Sequence, residues 1–241
     1  PISALNGDNV TTISDAAPWY AGPPLLETLE TVAVDADQNR TDLRFPVQWV
    51  VRPGDATSQE LHDYRGYAGQ LASGVLSPGQ EVTVLPSGKT TKVAGIELLG
   101  RQLDHAVPGQ SVTVLLEDDV DVSRGDVLVA TANAPQAVRE LEADVCWMSE
   151  TPLVPGARLL LKTTTQTTAV KFEGFIDQLD LDTLSRNGTL PAQLDLNGIG
   201  GVKLRSKRPL VIDPYAKNRA TGAFILIDEG TNDTVAAGMV R

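Results

Sequence analysis

The closest approach to a phosphate-binding loop in this chain is Gly88-Lys89-Thr90. That chemistry needs another glycine five positions earlier, where the chain has Thr83, and a helix afterwards, where Thr91-Lys92-Val93 predicts a strand. Pro86-Ser87-Gly88 therefore reads as a hairpin turn. Asp63-Tyr64-Arg65-Gly66 and Asp195-Leu196-Asn197-Gly198 fit the loose Asp-x-x-Gly pattern of nucleotide sites, but neither follows a phosphate loop, and no Asn-Lys-x-Asp guanine reader occurs. His62 and His105 each adjoin an aspartate, Asp63 and Asp104. Neighbouring side chains in a strand point to opposite faces, so adjacency alone makes no oriented general base, and both read as surface-loop histidines. There is no Gly-x-Ser-x-Gly elbow, and no His-x-x-x-His or Cys-x-x-Cys pair. The sequence thus predicts no catalytic residue and no metal ligand. Arg124-Gly125-Asp126 reads as a turn before a strand. Arg205-Ser206-Lys207-Arg208, the one compact basic cluster, reads as a solvated hairpin end, with an acidic partner or an anion as the alternative.

Composition narrows the classes further. The 241 residues carry 31 Asp and Glu against 20 Lys and Arg, a formal charge of -11. That field repels a phosphate backbone, so nucleic acid is not the expected partner. The single cysteine, Cys146, excludes an internal disulfide and fits a reduced, cytoplasmic setting. No apolar run is long enough to span a membrane as a helix, and no secretory signal opens the chain. The only methionines are Met148 and Met239. The opening Pro-Ile-Ser-Ala-Leu-Asn-Gly-Asp-Asn-Val reads as the end of a buried strand running into a polar loop.

The elements that would position any site are mostly strands. Pro23-Pro24-Leu25-Leu26-Glu27-Thr28-Leu29-Glu30 predicts a short helix, with prolines at its start, leucines on one face and acids on the other. From Asp42 onward, short β runs alternate with Pro-Gly, Ser-Gly and Asn-Gly punctuation. Pro78-Gly79-Gln80-Glu81-Val82-Thr83-Val84-Leu85 is echoed by Pro108-Gly109-Gln110-Ser111-Val112-Thr113-Val114-Leu115. No third copy falls at that period, so the recurrence reads as turn-strand chemistry and not as a solenoid. The fold class expected is all-β: two consecutive β-barrels after a short helical linker, with domains 1–34, 35–134 and 135–241.

Several stretches carry a family resemblance. Ile2-Ser3-Ala4-Leu5-Asn6-Gly7-Asp8-Asn9 resembles the last guanine-nucleotide motif of translation-factor GTPases. Pro18-Trp19-Tyr20 and Gly22 to Glu30 resemble the linker that follows their GTPase domain. Phe45 to Val50, Tyr64-Arg65-Gly66-Tyr67-Ala68-Gly69-Gln70-Leu71-Ala72-Ser73-Gly74, Asp213-Pro214-Tyr215-Ala216 and Asn218 to Asp228 resemble the GTPase subunit of bacterial sulfate adenylyltransferase.

The resemblance implies two translation-factor-like barrels in a heterodimeric enzyme of sulfate assimilation. GTP hydrolysis on this subunit would drive formation of adenosine 5'-phosphosulfate from ATP and sulfate on a catalytic subunit. It implies Ser3, Ala4 and Leu5 as a remnant of the guanine site. The phosphate loop, switch segments and guanine reader would lie upstream, so GTP and Mg belong to the parent and no cofactor is expected in this fragment, which should be inactive alone. The implied partners are the catalytic subunit, the parent's own GTPase domain and, in some organisms, a fused adenylylsulfate kinase. Loop 63–69 and segment 215–222 are expected to meet the GTPase domain or the catalytic subunit through exposed Tyr64, Arg65, Tyr67 and Arg219, with Gly66 and Tyr215 beside them. The alternative is that the glycines serve tight barrel corners and Tyr67 is core. A second family reading, the tRNA-binding barrels of an elongation factor, is opposed by the acidic balance.

Overall fold

The computed structural model describes residues 1–32, 38–53, 63–187 and 190–241. His62 and the expected boundary at 34/35 lie outside them. The described chain forms two compact units, Pro1–Gln38 and Asn39–Arg241.

In the first unit, α1 spans Leu25–Thr31 with Pro24 at its N-cap and no side-chain cap. Its first free N–H groups are satisfied by the chain ahead of it: Leu25 and Leu26 donate to the Asn9 and Val10 carbonyls, each at 2.9 Å. None of its residues is buried.

The second unit holds two rolled sheets. The first contains β1 (Arg44–Pro46), β2 (Trp49–Val51), β3 (Gly66–Gln70), β4 (Glu81–Leu85), β5 (Lys89–Leu98), β6 (Arg101–Gln102), β7 (Ser111–Leu116) and β8 (Val127–Ala130). The order is β1-β8-β4-β5-β7-β3-β2, with β6 added beside β5. The apolar stretch 43–51 is interrupted at Val47-Gln48, between β1 and β2. Val47 N–H donates to Asp126 on the β8 side and Gln48 N–H donates to Ala68 in β3. One chain segment thus pairs with both ends of the sheet and closes it, which removes exposed edges. Leu43, Phe45, Val47, Tyr67, Val82, Val84 and Val114 fill the interior.

The second sheet comprises β9 (Val138–Trp147), β10 (Arg158–Lys162), β11 (Thr167–Asp180), β12 (Ser185–Asn187), β13 (Ile199–Leu210), β14 (Ala223–Asp228) and β15 (Thr234–Val240). Its order is β10-β14-β15-β9-β13-β11-β12, and an added β10–β11 pairing closes six strands into a barrel. Alternation works as the period of two requires: Leu141, Ala143, Val145 and Trp147 of β9 point inward. Trp147 is satisfied through its indole N–H, which donates to the Thr151 carbonyl at 2.8 Å.

The echoed Pro-Gly turns face each other. Leu76 and Ala106 exchange two backbone hydrogen bonds at 3.1 and 2.8 Å. In each turn a glutamine side chain accepts an N–H from three residues earlier, Gln80 from Ser77 and Gln110 from Val107. Gly79 and Gly109 supply the left-handed backbone, at φ +79° and +89°. The second barrel repeats the device. Leu153 and Leu194 exchange two bonds at 3.0 Å, followed by Gly156 and Asn197 at φ +89° and +65°. Sequence reading misses this second pair because its spacing is longer and because Asn197 stands where the others have glycine.

Candidate functional site: the interbarrel lock and its flanking surfaces

Ser3, Ala4 and Leu5 lie in the first unit in a tight turn. Ser3 forms a bridge with Asp8, its carbonyl accepts the Gly7 N–H at 2.8 Å, and Leu5 is 95% exposed. These residues provide a turn and one hydroxyl. Among the described residues no cluster of three or more His, Cys, Asp or Glu side chains could hold a metal ion. Gly88 sits at φ +76° in the β4–β5 hairpin, with no helix after it. Among the described residues, Gly88 therefore serves a hairpin and not a phosphate loop.

The Tyr64 to Gly74 stretch is built mainly for packing. Tyr67 is 1% exposed and its hydroxyl donates to the Val120 carbonyl at 3.0 Å. Its expected exposure is therefore corrected: in β3 its position faces the core, and the hydroxyl finds a partner there. Gly66 is buried, and a Cβ there would come within 2.5 Å of the Thr113 methyl. A Cβ on Gly69 would strike the Pro46 carbonyl and the Phe45 ring. Both glycines let β3 approach its neighbours.

Arg65 and Tyr64 are likewise more covered than expected. The Arg65 guanidinium pairs with Asp119, lies 3.8 Å from Asp121 and sits 5.5 Å from the Tyr67 ring centroid. Tyr64 donates to Glu97 at 2.6 Å. Burial, then the Glu97 hydrogen bond and charge, push the Tyr64 phenol up to about 12. Tyr64, Arg65, Tyr67 and Asp119, together with Arg52 and Asp118, line a groove of about 710 Å³.

Segment 213–222 joins the barrels. Arg44, in β1 and fully buried, donates through Nε and Nη2 to the two carboxylate oxygens of Asp213, both at 2.9 Å, and through Nη1 to the Leu43 carbonyl at 2.8 Å. Thr221 donates to Asp213 at 2.7 Å. Asn218 donates to the Ser73 hydroxyl at 2.7 Å, which in turn donates to the Asp42 carbonyl. Such a bidentate pair with its remaining polar atoms satisfied is the geometry in which a buried ion pair is tolerated.

Short helix α2, Arg219–Gly222, presents Thr221 to this network. Gly222 fits because a Cβ there would lie 2.5 Å from the Tyr215 Cα. At the rim, Lys217 lies 3.3 Å from Asp42 and Asn39 donates to the Lys217 carbonyl. Burial works to raise the Asp42 pKa, but Asn39, Lys217 and Arg44 outweigh it and hold it below the ordinary value. An apolar seam of Leu85, Val127, Val129 and Val211 completes the junction.

The lock leaves Arg219 exposed and Tyr215 half-buried. Tyr215 and Ala220 line an apolar groove of about 610 Å³ on the second barrel with Cys146, Ile225 and Met239. Ala220 and Thr164 also border a groove of about 830 Å³ along β3 and β7. The structure thus divides the expected interface residues: Tyr64 and Arg65 line one groove, and Tyr215 another. Sequence reasoning missed Arg44, Asp213 and Ser73. Arg44 in Leu43-Arg44-Phe45 gives only the ordinary polar beat of an alternating strand. His105 and Asp104 are both exposed.

Residues 140–241 match the family described as "GTP-eEF1A C-terminal domain-like". Over its whole length the chain is 48% identical to a protein of Mycobacterium tuberculosis described as "Bifunctional enzyme CysN/CysC", of which it covers 39%. It is 45% identical to "Sulfate adenylyltransferase subunit 1" of Photorhabdus laumondii and 44% identical to that of Bacteroides thetaiotaomicron, covering 48% and 50% of those proteins. The chain thus spans half or less of the length of these relatives. Among solved structures, Sup35 complexed with GMPPNP superposes with a TM-score of 0.74 at 24% identity, over all of this chain and 57% of that one, which shows the shared fold.

Proposed function

We propose that this chain, a relative of sulfate adenylyltransferase subunit 1 from end to end, is the two-barrel portion of such a subunit. It couples GTP hydrolysis to formation of adenosine 5'-phosphosulfate from ATP and sulfate. The carrying observation is the pair of long stretches resembling that subunit, Arg65 to Gly69 and Asn218 to Gly222, within a match that covers the whole chain. Their glycines, Tyr67, Asn218 and Thr221 serve barrel closure and the interbarrel lock, so the matching stretches specify this architecture.

GTP and Mg belong to the GTPase domain of the whole subunit, where Ser3, Ala4 and Leu5 would contribute backbone at the guanine edge. The chemical steps lie there and on the catalytic subunit. The barrels give a switch segment a rigid surface on which to dock, so that nucleotide state biases the assembly. The partners are the catalytic subunit, the GTPase domain and, in a bifunctional parent, a fused adenylylsulfate kinase. The setting is cytoplasmic, and the parts are 1–34, 35–134 and 135–241.

Arg219 and Tyr215 at the rim of the lock, with the partly covered Arg65 and Tyr64, form the partner-facing surface. A pull-down with the sulfate adenylyltransferase catalytic subunit, with tRNA as control, tests the reading. Retention of the subunit, weakened by Arg65→Ala and Arg219→Ala, is expected; unchanged affinity in both variants removes these residues from the interface. Retention of tRNA instead of the subunit would favour the elongation-factor reading.

A further inference from the structure

The basic cluster that reads as a hairpin end in the sequence lies within the 12-residue strand β13. Its neighbours across the sheet are also basic. Arg158 of β10 sits directly opposite Lys171 of β11, and Lys171 sits directly opposite Arg205 of β13. All three are exposed, and Lys207 follows on the same outward face.

Directly opposed side chains on adjacent strands are about 5 Å apart at Cβ, and like charges there oppose folding. Three cations abreast are therefore a cost to the isolated barrel, and this chain has carboxylates in excess to place among them. Arg205 is relieved by Glu140 at 2.9 Å and Glu173 at 2.7 Å. Among the described residues, Arg158, Lys171 and Lys207 have no ion-pair partner. The row borders a shallow groove of about 360 Å³ lined also by Ala169, Glu229 and the buried Val170 and Ser206.

We propose that this row is a docking surface for an acidic, extended segment of a partner protein, which turns the carboxylates of its alternate residues onto the row. Outward residues two apart in such a segment lie about 7 Å apart, the same step that separates Arg205 from Lys207 along β13.

A nucleic acid fits less well. Glu140, Glu173 and Glu229 bracket the row, and the chain carries -11 overall, so the positive field is confined to a patch. Screening over about 8 Å at physiological ionic strength lets a short acidic segment use that patch, whereas a long polyanion must cross the surrounding negative surface.

The probe is a fluorescent alternating Glu-Val peptide, compared with a Gln-Val peptide of equal length and an oligo-dT of equal charge. The whole chain should bind the Glu-Val peptide in preference to both, and added salt should weaken the binding. Lys171→Glu should reduce affinity by about tenfold or more while leaving the Tm unchanged or raised, because the row from Arg158 through position 171 to Arg205 then alternates in sign. Lys171→Gln, which adds no new charge, should give an intermediate loss. Equal binding of the Glu-Val and Gln-Val peptides, unchanged affinity in either variant, or tighter binding of oligo-dT than of peptide would overturn the proposal.

Discussion

Replacing Arg44 by methionine keeps most of the apolar stem and removes the guanidinium. Asp213 then remains buried with Thr221 as its one side-chain donor, and the Leu43 carbonyl loses a partner. Breaking a buried ion pair from one side costs about 3–5 kcal/mol, because the other charge is left uncompensated. With a urea dependence of about 2–3 kcal/mol per molar, the unfolding midpoint should fall by roughly 1–2.5 M. Arg44→Met/Asp213→Leu removes both charges, and the residual loss is the orphaned Leu43 carbonyl and Thr221 hydroxyl, about 1 kcal/mol each. The double variant should therefore be more stable than either single one. Urea titration followed by far-ultraviolet circular dichroism and by tryptophan emission measures this, since the buried Trp147 reports the second barrel. An Arg44→Met loss below about 1 kcal/mol, or a double variant weaker than both single variants, would refute the assignment of Arg44–Asp213 as the bond that joins the barrels.

Gly74→Ala and Gly79→Ala start from nearly the same backbone, φ +78° and +79°, but only at Gly74 would a Cβ strike backbone, that of Leu43. Thermal denaturation should show about 1–2 kcal/mol of strain at Gly79 and at least 1 kcal/mol more at Gly74. Because the Tyr64 pKa is raised in the fold, its stabilising contribution is complete below the unfolded value near 10 and is lost as pH rises through about 12. Phenolate absorbance should show a late-titrating tyrosine, and Glu97→Gln should move it down while burial keeps it above 10. Burial works to raise the Asp177 pKa, but hydrogen bonds and charge from Arg241 and Arg186 overcome it and hold it low. That stabilisation is present above the unfolded value of 3.8 and is lost as pH falls through the lower folded value, so Arg241→Ala should make acid unfolding begin at higher pH.

The strands, the turns and the short helix are legible in the sequence because each rests on local signals: period-two alternation, Pro-Gly punctuation and a proline-led leucine face. The lock is not legible, since Arg44 and Asp213 are 169 residues apart and each has an ordinary local role available. Tyr67 misleads for a related reason. Its neighbours Arg65 and Gly66 suggest an exposed loop, but β3 turns its ring inward and Val120, 53 residues away, supplies the acceptor. The basic row is half legible. Arg205 to Arg208 stands out in the sequence, while Arg158 and Lys171 join it only through strand register.

The paired turns also bear on where the chain tolerates extra length. Leu153 and Leu194 close a loop about eleven residues longer than the one between Leu76 and Ala106, and loop-closure entropy charges only about 0.3 kcal/mol for the difference. The reciprocal bonds pin the two turns together at the barrel end, independently of the length of the connection outside the strands β10 and β11. The exposed turn 181–184 between β11 and β12 is therefore the place where this barrel can accept an inserted hairpin or a reporter sequence without losing its closure.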